Sequence, residues 1–161
     1  MSIVLARIDN RLIHGQVLEA WVPYTHATCI AVANDELAGA KLKRIMTEAA
    51  VPRGIKVVIG TLEEVAASFR DDRFAAERVL LLFANSQDAL KARYLGIDFD
   101  TLNLGNMHDS GGKMRFSCTI FLTREDVANL SELEKKGVSI VSRCVPTDRG
   151  QSWKKMIRQR E

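Results

Sequence analysis

The sequence predicts an α/β fold: an open, mostly parallel central sheet with helices on both faces and an active site at the carboxyl end of the first strand. Three observations lead there. Short apolar runs of strand length alternate with amphipathic segments at least five times. The runs read as buried strands, as expected for a parallel sheet covered by helices on both sides. The first run leads into a cluster of charged and polar residues placed between strand and helix, where open α/β sheets take their ligands. At 161 residues the chain has the length of a single domain, 1–161, with one core.

The elements follow in order. Residues 3–6 form a buried strand that ends near Ile8. Residues 16–22 are helical and stop around Pro23, whose ring does not continue a helix. Residues 28–32 are the second strand, and 38–50 a helix with Leu42, Ile45 and Met46 on one face. Residues 56–59 are the third strand, after which Thr61 and Glu64 have the spacing of a capping box. Residues 78–83 are the fourth strand, and Asn85 and Ser86 are cap candidates for a helix through Tyr94. Residues 99–104 are the fifth strand, and 113–122 are extended with room for an edge strand. Residues 123–126 open a helix that Gly137 closes, and 138–141 are the last strand. Ligands are therefore expected among the loops at 9–15, 33–37, 84–86, 105–112 and 144–148.

Composition narrows the function. With 47% hydrophobic and 27% charged residues, three Pro and ten Gly, the chain is neither disordered nor of low complexity. No apolar stretch approaches the roughly 18–20 residues of a membrane helix. The first four residues lack the marks of a secretory leader, and Cys29, Cys118 and Cys144 form no CxxC pair, so a reduced intracellular protein is expected. The net charge of +3 is uneven: residues 149–161 hold five basic residues against one acid, which leaves −1 on the preceding 148. A basic tail is not a basic face, so nucleic acid is not expected as a partner. Trp153, Met156 and Ile157 give that tail a helical stripe, a basic C-terminal helix at about 150–161. It either packs on the domain or docks on an acidic partner or an anionic membrane surface.

The chemistry concentrates in the first loop. A neutral imidazole is nucleophilic near pH 7, which makes His14 the candidate nucleophile. Arg11 offers paired donors to phosphoryl oxygens. Gly15 admits a tetrahedral group close to the backbone, and a helix opening near Gln16 directs N–H groups and a positive dipole end at it. Asp9 either orients the imidazole through its second nitrogen or restrains Arg11. His26 is expected at the surface and His108 in a turn. The histidines are isolated with no H-E-x-x-H, so no metal is expected. A P-loop is excluded, because position 107 is Met and Lys113 precedes Met114. Cys29 lies inside a strand, where burial is its expected role.

Residues 7–17 resemble the active-site signature of the IIB subunits of the mannose/fructose/sorbose family of bacterial phosphoenolpyruvate-dependent sugar phosphotransferase systems. Val32-Ala33-Asn34-Asp35-Glu36, Leu102-Asn103-Leu104-Gly105-Asn106-Met107, Lys135-Lys136-Gly137-Val138 and Val145-Pro146-Thr147-Asp148 extend the similarity along nearly the whole chain. The resemblance implies that His14 is phosphorylated by the phosphohistidine of a IIA protein. It then passes the group to a sugar entering through membrane IIC and IID subunits. It also implies a protein-N(π)-phosphohistidine–sugar phosphotransferase, cytoplasmic and held at the inner membrane through its partners, with a covalent phosphohistidine and no cofactor. Loop position adds Asn34, Asp35, Ser86, Gly105 and Asn106 as possible neighbours of the site. Asn10 stands where many family members carry a second Asp, and Asn106 where some carry Gly, a pointer to a different sugar branch such as amino sugars. The apolar stretch 115–121 and the basic tail depart from the family pattern. The same His14 would also serve a regulatory phosphoprotein without transport. A non-enzymatic binding module would instead bind small anions in the crevice and leave His14 unmodified.

Overall fold

The computed structural model describes residues 3–107, 114–117 and 119–158; the readings made for His108 and Cys118 lie outside these. Within them, strands β1 (Ile3–Asp9), β2 (Cys29–Ala33), β3 (Lys56–Gly60), β4 (Val79–Phe83), β5 (Thr101–Asn106) and β8 (Ser139–Ser142) form a parallel sheet in the order β3-β2-β4-β1-β5-β8. β9 (Gln151–Ser152) adds an antiparallel edge to β8, and β6 (Met114–Arg115) pairs with β7 (Phe121–Leu122) in a separate hairpin.

The connections from β1 and β2 travel one way across the sheet, and those from β3, β4 and β5 the other. Right-handed crossovers therefore place their helices on opposite faces. Two apolar clusters mark these faces. One gathers Ala6, Ile8, Phe83, Leu102 and Leu104 with residues of α4 (Leu62–Arg70), α5 (Ser86–Tyr94), α6 (Arg124–Lys135) and α7 (Trp153–Arg158). The other gathers Ile30, Val32, Leu80 and Leu82 with Val17, Trp21, Val22 and Leu37. β1 lies where the direction of travel reverses, so its carboxyl end opens into the crevice expected to hold the site.

Several expectations are corrected. The first helical stretch runs from residue 15 to residue 25 and passes through Pro23. A π-helical turn over Val17–Trp21 widens the backbone there, and Pro23 sits in the first turn of α1 (Val22–Thr25), where its missing N–H is tolerated. The helix expected at 38–50 is α3 (Lys41–Ala49), and the loop expected at 33–37 largely winds into a short helix of its own, α2 (Asp35–Gly39); Ala40 separates the two by leaving the helical region at φ −95° and ψ 81°. Leu42, Ile45 and Met46 face solvent, not the sheet, at 72%, 49% and 65% exposure. Thr61 caps α4 by accepting from Glu64 N at 3.1 Å. The complete capping box is instead at α6, where Thr123 accepts from Asp126 N and Asp126 accepts from Thr123 N. Asn85, not Ser86, caps α5. The tail packs on the domain: Trp153 and Met156 are buried, and the indole of Trp153 donates to Glu134 at 2.6 Å.

Candidate active site

Alternation along β1 points Ala6 and Ile8 into one core and sends Arg7 and Asp9 to the opposite face, beneath the helical stretch that follows the loop. Both charged side chains are fully buried. Such burial is tolerated only when charge and hydrogen-bonding capacity are met. Here they are. The Asp9 Oδ2 atom accepts from His14 Nε2 at 2.8 Å, Asn106 Nδ2 at 2.9 Å, and Arg7 Nη2 and Nε at 3.1 and 3.3 Å. Oδ1 accepts from the backbone N–H of Arg11 at 3.0 Å. Burial pushes the Asp9 carboxyl up, but the bonds from His14 and Asn106 and the charge of Arg7 outweigh it and hold it below the usual carboxylate range.

That direction decides which ring nitrogen faces Asp9 with a proton. An ionised carboxylate only accepts, so Nε2 of His14 carries the proton it shares with Asp9, and in the neutral ring Nδ1 is the nitrogen with the lone pair. The His14 side chain is 7% exposed. Asp9 thus fills both roles left open by the sequence. It orients the ring, and it restrains Arg11 through that residue's backbone, leaving the guanidinium without a partner among the described residues.

The loop itself is wound tightly. Leu12 N donates to Asp9 O at 2.9 Å, and Leu12 adopts a left-handed conformation, φ 56°, with its side chain buried in the second core. A left-handed leucine costs roughly 1–2 kcal/mol and persists because burial and the Asp9 bonds fix it. His14 O accepts from Leu18 N at 3.1 Å, which leaves the N–H groups of Gly15, Gln16 and Val17 ahead of the helical ladder. A Cβ at Gly15 would meet nothing within 4 Å, so the approach there is open.

Sequence reasoning missed Arg7. Its guanidinium donates to Asn103 Oδ1, to Gln16 Oε1 at 3.2 Å, and to the carbonyls of Arg143 and Cys144 at 2.9 and 3.1 Å. It stacks 5.0 Å from the Trp21 ring, whose indole N–H also bonds Cys144 O at 3.0 Å. Burial lowers the Arg7 pKa, and Asp9 opposes that shift. Arg7 therefore ties the end of β1, the first helical turn and the segment after β8 into one network. Gln16 belongs to it through its side chain, with Nε2 donating to Cys144 Sγ at 3.4 Å. The sequence held one signal: an arginine two residues before Asp9 on a strand's buried face.

Of the other candidates, Asn106 joins the site through Asp9, and Gly105 lies beside Arg7. Asn34 caps α2 and donates to Asp88 at 3.1 Å, and Asp35 accepts from Leu62 N at 2.9 Å. Both are structural ties, although Asn34 also lines the cavity beside the loop. Ser86 is corrected outright. Fully buried, it donates to Asp126 at 2.7 Å and accepts from Asn129 at 3.1 Å, joining α5 to α6 instead of serving the site. His26 is exposed and closes α1 in a left-handed conformation. A cavity of about 300 Å³ adjoins the loop, lined by Arg11, Leu12, Ile13, Asn34, Lys43 and Asn85 among others.

Comparison with known proteins finds relatives along the whole chain. The family model described as "PTS system sorbose subfamily IIB component" matches residues 3–161. The sorbose-specific EIIB component of Klebsiella pneumoniae is 36% identical over 148 residues, 92% of this chain and 90% of that protein. The mannose-specific EIIAB component of Escherichia coli K12 is 30% identical over 148 residues, 92% of this chain but 46% of that longer protein. The crystal structure of the IIBSor domain of the sorbose permease from Klebsiella pneumoniae superposes with a TM-score of 0.94 at 34% identity, covering 100% of this chain and 99% of that one.

Proposed function

The chain belongs to the sorbose-subfamily IIB components of the phosphotransferase system, phosphoryl-transfer subunits of sugar uptake, and from that premise we propose that His14 is its phosphorylated residue and Nδ1 the attacking atom. The observation that carries the proposal is the 2.8 Å bond between His14 Nε2 and Asp9. By fixing the tautomer, it leaves a single nucleophilic nitrogen.

The lone pair of Nδ1 attacks the phosphorus of a IIA phosphohistidine. A new P–N bond forms as the donor's P–N bond breaks, and the electron pair returns to the donor's imidazole. Next, a sugar hydroxyl attacks the same phosphorus, the bond to Nδ1 breaks with its electron pair returning to the ring, and the hydroxyl proton passes to solvent. The ring keeps its Nε2–H bonded to Asp9 throughout, so it does not have to reorient between the two transfers. Arg11 and the N–H groups at the helix start stabilise the charge spread over the phosphoryl oxygens. Burial of the ring limits hydrolysis of the phosphoramidate. A phosphoramidate keeps the donor's transfer potential, and the covalent intermediate needs no separate cofactor.

The donor is a IIA protein; a relative named EIIAB supports this pairing. The acceptor is a sugar delivered by membrane IIC and IID subunits. Among the described residues no helix is long and apolar enough to cross a membrane, and the protein acts in the cytoplasm, reaching the membrane through those partners. The relatives are named for sorbose and for mannose, so the likeness fixes no single sugar.

The test is intact-mass analysis after incubation with phosphoenolpyruvate, the general phosphotransfer proteins and a IIA donor, on wild type, His14→Ala, His26→Ala and His108→Ala. One acid-labile, alkali-stable phosphate that only His14→Ala lacks is the expected result. A label retained by His14→Ala overturns the assignment.

A further inference from the structure

A helix with three large apolar side chains at i, i+3 and i+4 normally buries them. In α3 no residue is buried, and Leu42, Ile45 and Met46 stand exposed. Leu42 and Met46 line an open depression of about 700 Å³ with Ala40, Lys41, Lys43 and Ile13. Ile13, the residue before His14, also lines the 300 Å³ cavity, which holds Arg11 and Lys43. The apolar face is thus continuous with the phosphorylation loop. Arg11, Lys41 and Lys43 line these two hollows against a single acid, Glu36, and none of the three forms an ion pair among the described residues.

We propose that the apolar face of α3, with Arg11, Lys41 and Lys43 beside it, is the surface on which the phosphohistidine donor docks. The proposal rests on the phosphocarrier reading of His14. A donor has to bring its phosphoryl group to Nδ1, and in doing so it covers the surface adjoining Ile13. Charge selects the donor over the acceptor. The donor arrives with a phosphoryl dianion that complements a basic rim, whereas the acceptor presents an uncharged sugar hydroxyl. Once the group has moved to His14, the donor loses that charge and its attraction to the rim falls, which favours release. The matching face on the donor is therefore an apolar patch ringed by acidic residues beside its phosphohistidine.

The experiment measures initial rates of His14 phosphorylation against the concentration of phosphorylated IIA, for wild type, a Leu42→Asp/Met46→Asp double variant and Lys41→Glu. Labelling by phosphoramidate, which needs no docking surface, serves as control. These positions are exposed, so melting temperatures should stay at the wild-type value. The expected result is a KM for the donor raised at least about tenfold in the double variant. Lys41→Glu should shift it in the same direction with a weaker salt dependence, while kcat and phosphoramidate labelling stay unchanged. An unchanged donor KM overturns the proposal. So does a variant that keeps its donor KM and loses transfer to sugar in membranes, or a wild-type dimer that the variant dissociates; each assigns the face to another occupant. If wild type is labelled by neither donor nor phosphoramidate, the phosphocarrier reading itself fails and the docking proposal falls with it.

Discussion

The guanidinium of Arg7 occupies the space that a side chain at position 105 would fill. A Cβ built on Gly105 would lie 2.0 Å from Arg7 Cζ and 2.2 Å from Nη2. Gly105 ↔ Arg7 is thus a contact between neighbouring strands that only glycine permits, and it lets a buried cation lie flat beneath Asp9. Gly105→Ala should cost about 1–3 kcal/mol by overpacking, and more if Arg7 is expelled from its carbonyl partners. Urea unfolding measures the loss. A variant as stable as wild type would show that Arg7 has room to move.

Asp9 gives the site a pH dependence with a definite sign. Its carboxyl sits below the usual range in the folded state, so its stabilisation is fully present above the unfolded carboxylate value of about 3.9 and is lost as pH falls through the folded value. Wild type minus Asp9→Asn stability should therefore be flat from neutral pH to about 5 and shrink on further acidification. Asp9→Asn should also slow phosphorylation of His14 by about 10²–10⁴-fold, because an amide does not enforce the Nε2–H tautomer.

Asp88 carries the opposite sign. Burial raises its carboxyl despite the bond from Asn34, with Asp35 adding to the shift. Its stabilisation is present below the unfolded value and is lost as pH rises through the folded one. Asp88→Asn should therefore gain stability relative to wild type at neutral pH, and that gain should vanish in acid. Thermal melts at a series of pH values check this.

Ser86→Ala should separate stability from function. Removing the hydroxyl between Asp126 and Asn129 takes away the 2.7 Å bond to a carboxylate that ties α5 to α6, a cost of about 1.5–3 kcal/mol. The rate of His14 labelling should not change. A slowed label in a folded variant would return Ser86 to the site.

Cys29 should resist alkylation. It is fully buried in β2, and burial together with Glu77 pushes its thiol up to about 11. Peptide mapping after iodoacetamide treatment of the native protein should find Cys29 unmodified while the half-buried Cys144 reacts.

How much of this was legible in the sequence follows from how local each feature is. Asp9, Arg11, His14 and Gly15 lie within seven residues, so their residue types and order were enough to announce the chemistry. The strands, as uninterrupted apolar runs, were equally readable. Arg7 was not, because its partners Asn103, Arg143 and Cys144 lie roughly a hundred residues or more along the chain and meet it only through the β1–β5–β8 pairing. Ser86 was misread since loop position cannot reveal that Asp126 waits across the α5–α6 contact. The two-residue strand β9 and the widened turn that lets the helix pass Pro23 are set by tertiary pairing and leave no periodic trace. The outward face of α3 has an ordinary amphipathic pattern, and only the fold shows which way it points.

Everything proposed for the site depends on Asp9 holding His14 so that Nδ1 receives the phosphoryl group. The most direct measurement is ¹⁵N and ³¹P NMR of the phosphorylated protein with labelled histidine. The expected spectrum shows phosphorus bonded to Nδ1 of His14, with a proton on Nε2 both before and after phosphorylation. Phosphorus on Nε2, or on any residue other than His14, would contradict it.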